Sequence, residues 1–111
     1  MSAKPLEELI SGRGFDQYQD GLRSQCHAYG LVYELTYCQP TDKPAMVLDF
    51  ESRLHFGRVT VWVSGECELE VLEIASDDNA FNEHHQLKSE REFHEVYLRL
   101  TELMRDALGQ P

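Results

Sequence analysis

The sequence predicts an α+β domain: an antiparallel sheet of four to five strands, with N- and C-terminal helices packed on one of its faces. Three observations predict it. Residues 59–75, VTVWVSGECELEVLEIA, alternate apolar and polar side chains on both sides of Ser64-Gly65, as a half-solvated hairpin does. Further alternating runs lie on either side of it, and helical periodicity is confined to the two ends of the chain. At 111 residues there is room for one domain, spanning 1–111. A chain of this size buries roughly 65% of its unfolded surface, enough for one core without metal or disulfide help.

Each element follows from its own residues. Pro5 to about Tyr29 reads as helix in two pieces, with Pro5 in the first turn, Glu7 and Glu8 near the positive end, and Gly12 and Gly14 interrupting. From Phe15 the apolar positions Phe15, Tyr18, Leu22, Cys26 and Tyr29 step by three and four, and Gly30 suits a C-terminal cap. Leu31 to Cys38 is a strand, alternating Leu31, Tyr33, Leu35 and Tyr37 against Val32, Glu34, Thr36 and Cys38. Gln39 to Pro44 is a turn. Ala45 to Ser52 is a second strand, with Met46, Leu48 and Phe50 opposite Val47, Asp49 and Glu51. His55 to Ser64 and Glu66 to Ala75 are the third and fourth. After a turn at Ser76-Asp77-Asp78-Asn79, Ala80 to Lys88 is the fifth, carrying Phe81, Glu83, His85 and Leu87 on one face. Ser89-Glu90-Arg91-Glu92 is a capping box. The stripe Phe93, Val96, Tyr97, Leu100, Leu103, Met104 and Leu108 follows, and Gly109 ends the helix.

Burial sets an expectation for the hairpin. A two-residue Ser64-Gly65 turn would pair Val63 with Glu66 and put valines and glutamates on one face. Pairing Val63 with Cys67 keeps Val59, Val61, Val63, Cys67, Leu69 and Val71 together, and sets Trp62 beside Glu68 and Thr60 beside Glu70. It requires a bulge or three-residue loop around Ser64 to Glu66.

Charge narrows the function classes. The net charge is −10, from 20 acids against 10 bases. That disfavours nucleic acid and anionic membranes and favours a basic protein partner. Between Glu66 and Glu83 there are seven acids and no Lys or Arg. No signal peptide and no membrane-length apolar run is visible, and three widely spaced cysteines suit reduced thiols, so a cytoplasmic location is expected.

The candidate site is the sheet face that two helices cannot cover. It should carry Glu34, Thr36, Asp49, Glu51, Arg58, Thr60, Trp62, Glu68, Glu70 and His84, with Trp62 near its middle. The residues expected to bind a partner are Trp62, Glu66, Glu68, Glu70, Asp49, Glu51, Glu34 and His84, because aromatic anchors amid like charge mark protein-binding surfaces. The competing reading puts Trp62 under a helix, but its alternation with Val61 and Val63 turns it away from the core. No catalytic residue, cofactor or metal is expected. His84 and His85 are adjacent in a strand and point to opposite faces, and Cys26-His27 lacks ligand spacing. Glu68 and Glu70 stand about 7 Å apart along a strand, within reach of glycosidase geometry, yet an open face offers no cleft to shift a pKa. No GxGxxG, P-loop or HExxH is present.

The run RVTVWVSGECELEVLEI followed by NEHHQLKSEREFHE resembles the TriTu-type immunity proteins of bacterial polymorphic-toxin systems. The pattern is a strand ending in VW-SGEC, an acidic strand, then E-HH and a capped final helix. It falls here on Val61, Trp62, Ser64, Gly65, Glu66, Cys67, Glu83, His84, His85 and Ser89, within about residues 45 to 105. The resemblance implies an antitoxin that binds and occludes a cognate ADP-ribosyltransferase toxin acting on elongation factor Tu, and is not itself an enzyme. Two other classes remain open: an effector-specific adaptor or chaperone, and a small enzyme using the acidic face.

Overall fold

The computed structural model describes residues 6–10, 14–38, 44–76 and 78–109. Pro5, Gly12, Asp77 and the 39–43 part of the expected turn lie outside the described residues, as do the side chains of Glu7, Glu8, Phe81 and Leu108. The order is α1 (Leu6–Ile10), a 3-10 turn (Gly14–Tyr18), α2 (Gln19–Ala28), β1 (Val32–Cys38), β2 (Ala45–Glu51), β3 (His55–Trp62), β4 (Glu66–Glu73), β5 (Asp78–Gln86) and α3 (Glu90–Gly109). The five strands form one antiparallel meander in the order β1-β2-β3-β4-β5. This is the α+β architecture the alternation predicts.

The core lies between one face of the sheet and the helices. Met46, Leu48, Phe50, Val59, Val61, Cys67 and Leu69 from the strands are fully buried. They cluster with Leu9, Ile10, Phe15 and Cys26 from the N-terminal segment and with Phe93, Leu100 and Met104 from α3. Both helices therefore cover the same face. Gly57 makes room for the crossing: a Cβ there would stand 2.6 Å from Met104 Sδ. The α3 stripe is correct at Phe93, Val96, Tyr97, Leu100 and Met104, but Leu103 is 41% exposed. At a 3.6-residue period Leu103 falls beside the stripe, and the inward position next to Leu100 goes to Thr101, whose hydroxyl donates to Leu98 O at 2.8 Å.

Capping follows the sequence. Gly30 takes φ 77°, and Leu31 N donates to Cys26 O while Gly30 N donates to His27 O, a Schellman ending for α2. At α3, Glu92 N donates to Ser89 Oγ at 3.3 Å as a capping box requires, but the Glu92 carboxylate accepts from Lys88 N rather than from Ser89 N.

The β3–β4 hairpin needs a correction. A three-residue loop is present, but it is Val63–Gly65, and Cys67 pairs with Val61 rather than Val63. Gly65 N donates to Trp62 O at 2.9 Å, and Gly65 stands at φ 98°. Such a loop ends on a residue with positive φ, and glycine adopts it without steric cost. The expected register would have placed Glu66 there. Moving the pairing by two keeps every side chain on its expected face but changes its neighbours: Thr60 faces Glu68 and Arg58 faces Glu70.

Candidate functional site

The uncovered face is built from every second residue of the five strands. Register aligns Glu34 with Asp49, Asp49 with Arg58, Arg58 with Glu70, and Glu70 with Asn82 in one row. The next row runs Thr36, Val47, Thr60, Glu68 and His84. Glu34, Thr36, Glu51, Arg58, Glu68 and His84 are exposed, while Asp49, Thr60, Trp62, Glu66 and Glu70 are half-buried. All eight residues expected to bind a partner thus lie on the face the helices leave open, with Glu66 at the start of β4.

Two features of the sheet were not foreseen. The first is its centre. Trp62 lies on the middle strand but at its end, where the hairpin loop begins, so it is at the rim of the sheet rather than its middle. Its direct neighbour on β2 is Ala45, itself only 5% exposed. The middle belongs instead to an ion pair. Arg58 Nε donates to Asp49 Oδ1 at 2.7 Å and its Nη2 donates to Asp49 Oδ2 at 3.2 Å. The guanidinium also lies 5.6 Å from the Phe56 ring. The hydrogen bond to Asp49 pushes the Arg58 pKa up, with the Asp49 and Glu70 charges adding to it. Asp49 is therefore neutralised within the face. No described residue hydrogen-bonds or ion-pairs with Glu34, Glu51, Glu68 or Glu70, so these four carry its negative field.

The second feature is on the helix side of β5. Glu83 accepts from His85 Nε2 at 2.7 Å and from Arg99 of α3, whose guanidinium also reaches His85. The hydrogen bond from His85, and then that from Arg99, hold the Glu83 carboxyl below the usual carboxylate range. A cleft of about 390 Å³ opens beside this cluster, lined by His85, Leu87, Glu92, Glu95, Val96 and Arg99. A general acid needs a raised pKa, and Glu83 is shifted the other way. Sequence spacing gave no signal for this cluster, because Arg99 is 16 residues from Glu83. The one available clue was that two polar residues, Glu83 and His85, occupy core-side positions of an edge strand.

The other chemical candidates are quiet. All three cysteines are free. Burial pushes the Cys26 thiol up to about 11 and the Cys67 thiol up to about 12, which makes both poor nucleophiles. Among the described residues no group of His, Cys, Asp and Glu is arranged to hold a metal ion. No described helix is long and apolar enough to cross a membrane.

No curated protein matches the chain at a significant level. The family model of the immunity protein TriTu matches residues 15–103. The match begins at Phe15, in the 3-10 turn before α2, and ends in α3. It thus takes in α2 and β1 as well as the hairpin and the capped helix whose motifs carry the resemblance. Because it covers well over half of the 111 residues, the chain belongs to the TriTu immunity protein family.

Proposed function

We propose that the protein is the antitoxin for an ADP-ribosyltransferase that modifies elongation factor Tu, and that it acts in the cytoplasm by occluding that enzyme through its open sheet face. Immunity to a cognate toxin follows from the family, whose members are typically non-catalytic. One observation carries the face: it is the broad surface on which carboxylates stand unneutralised, with a half-buried tryptophan at its rim. Glu68 and Glu70 flank the β3 row, Glu34 and Glu51 lie beyond Asp49, and Trp62 and Glu66 mark the loop end. A desolvated aromatic supplies affinity, and a field of one sign speeds encounter with a basic partner. His84, directly opposite Glu68, extends the face to β5.

The test is to mix the purified chain with the toxin domain encoded beside it, and to follow complex formation by gel filtration and transfer of ADP-ribose to elongation factor Tu. A stable complex at micromolar concentration with abolished transfer is expected. Separate elution of the two proteins would end the antitoxin reading for that toxin. A complex that leaves transfer intact would make the protein an adaptor or chaperone instead.

A further inference from the structure

Among the described residues the sheet ends in two unpaired edges, and they are finished differently. β5 carries a register shift: Val71 faces Phe81 while Leu72 faces Asn79, which leaves Ala80 over. β1 pairs with β2 in unbroken register along its whole length. It contains no proline, no lysine and no bulge, the features by which edge strands avoid pairing with other chains. Its core-side row, Tyr33, Leu35 and Tyr37, packs against the core yet stays partly exposed. Val32, at the start of the strand, is 68% exposed.

We infer that β1 is a dimer edge, pairing antiparallel with β1 of a second copy and with Leu35 on the two-fold axis. The strand reads VYELTYC, which is nearly palindromic about Leu35. Reversed upon itself, it sets Tyr33 against Tyr37, Glu34 against Thr36 and Val32 against Cys38. Aromatic meets aromatic, and the one charge on the strand meets a hydroxyl able to donate to it. Opposed side chains share a face, so with the helices of both copies on one side the register can move only in steps of two. Centring the pair on Glu34 would bring two carboxylates together. Centring it on Thr36 would run past the end of the strand and pair fewer residues. The symmetry therefore selects both the occupant and its alignment. Two five-stranded sheets would join into one of ten strands, with one continuous open face carrying both Trp62 side chains. Each copy bears a charge of −10, so association should be weak in dilute buffer and tighten as salt screens the repulsion.

The experiment is sedimentation velocity on the full chain from micromolar to submillimolar concentration, in low and moderate salt. A monomer–dimer equilibrium favoured by salt is expected. Thr36→Glu should weaken it roughly tenfold, by placing carboxylates opposite each other twice per dimer, and Thr36→Lys should strengthen it by a similar factor. Thr36 is exposed on the open face, so neither change enters the core. Mild oxidation of Val32→Cys should trap a covalent dimer through Cys38 of the other copy, and adding Cys38→Ser should abolish the trap. Opposed Cβ atoms stand about 5 Å apart, whereas residues 32 and 38 of one strand are about 20 Å apart and cannot join. A chain that stays monomeric throughout and gives no disulfide dimer overturns the inference. So does a dimer indifferent to both Thr36 substitutions, which would place the interface elsewhere. A monomer whose toxin complex responds to the Thr36 substitutions overturns it too, by assigning the edge to a toxin strand.

Discussion

The two faces of this sheet are made from the same strands and answer to different physics. One step along the chain separates Leu48, fully buried, from Asp49 on the open side, and Val59 from the exposed Arg58. On the helix side every substitution changes volume inside a closed core, where a lost methylene leaves a cavity. On the open side a substitution changes charge or contact area in water, where single effects on folding are small. Stability and recognition are thus carried by interleaved residues, and mutation can separate them.

The largest effect should come from the helix side. Phe50 is fully buried, with its ring centroid 5.5 Å from that of Tyr33 on the neighbouring strand. Phe50→Ala should cost about 3–5 kcal/mol of folding stability. Urea denaturation checks this, and a loss below about 1 kcal/mol would mean the core is not closed as described.

Trp62 tests whether the open face recognises the toxin. Trp62→Ala should leave the fold intact and raise the dissociation rate of the toxin complex roughly 30-fold, since aromatic anchors commonly cost about 2 kcal/mol or more on truncation. Unfolding of the variant would assign Trp62 to the core. Unchanged dissociation would move the binding site to another surface.

The comparison also marks what could be read from the sequence. Which face each described strand side chain occupies was legible, because alternation has a period of two and burial fixes its phase. Gly30 and Ser89 announced their caps for equally local reasons. Register was less legible: parity follows from burial, but the exact partner depends on which loop residue takes a positive φ, and that choice moved Trp62 away from Glu68. Least legible were the long-range polar partners. Asp49 reads as one more acid in an acidic field until β2 and β3 align it with Arg58. The same holds for Glu83, which needs α3 to bring Arg99 across. The N-terminal third offered no motif, yet the family match begins at Phe15.

Charge on the open face should act on encounter more than on affinity. Glu68 is exposed, and Glu70, half-buried, adds its charge to the field around Arg58. Glu68→Lys combined with Glu70→Lys should slow association with a basic toxin several-fold, and added salt should bring the wild-type rate down towards that of the variant. Urea midpoints should stay close to wild type. Stopped-flow association rates that are equal at low salt would remove these carboxylates from the site.

The smallest effect distinguishes a carboxylate held by partners from one that faces only water. Glu83 has a folded-state pKa below its unfolded value, because His85 and Arg99 hydrogen-bond its ionised form. A depressed carboxylate contributes stability that is fully present above its unfolded pKa, about 4.3, and is lost as pH falls through its folded value. The stability gap between wild type and Glu83→Gln should therefore be present above about pH 5 and close progressively below it. The cluster is partly solvated, with Arg99 49% exposed, so the gap will be modest even where it is widest. Thermal midpoints of the two proteins across this range measure it, with Glu68→Gln as the open-face control. A gap that persists unchanged into acid would show that Glu83 stabilises the β5–α3 contact by packing rather than by charge. The cluster would then be one more part of the helix-side core and not a polar clasp between the edge strand and the last helix.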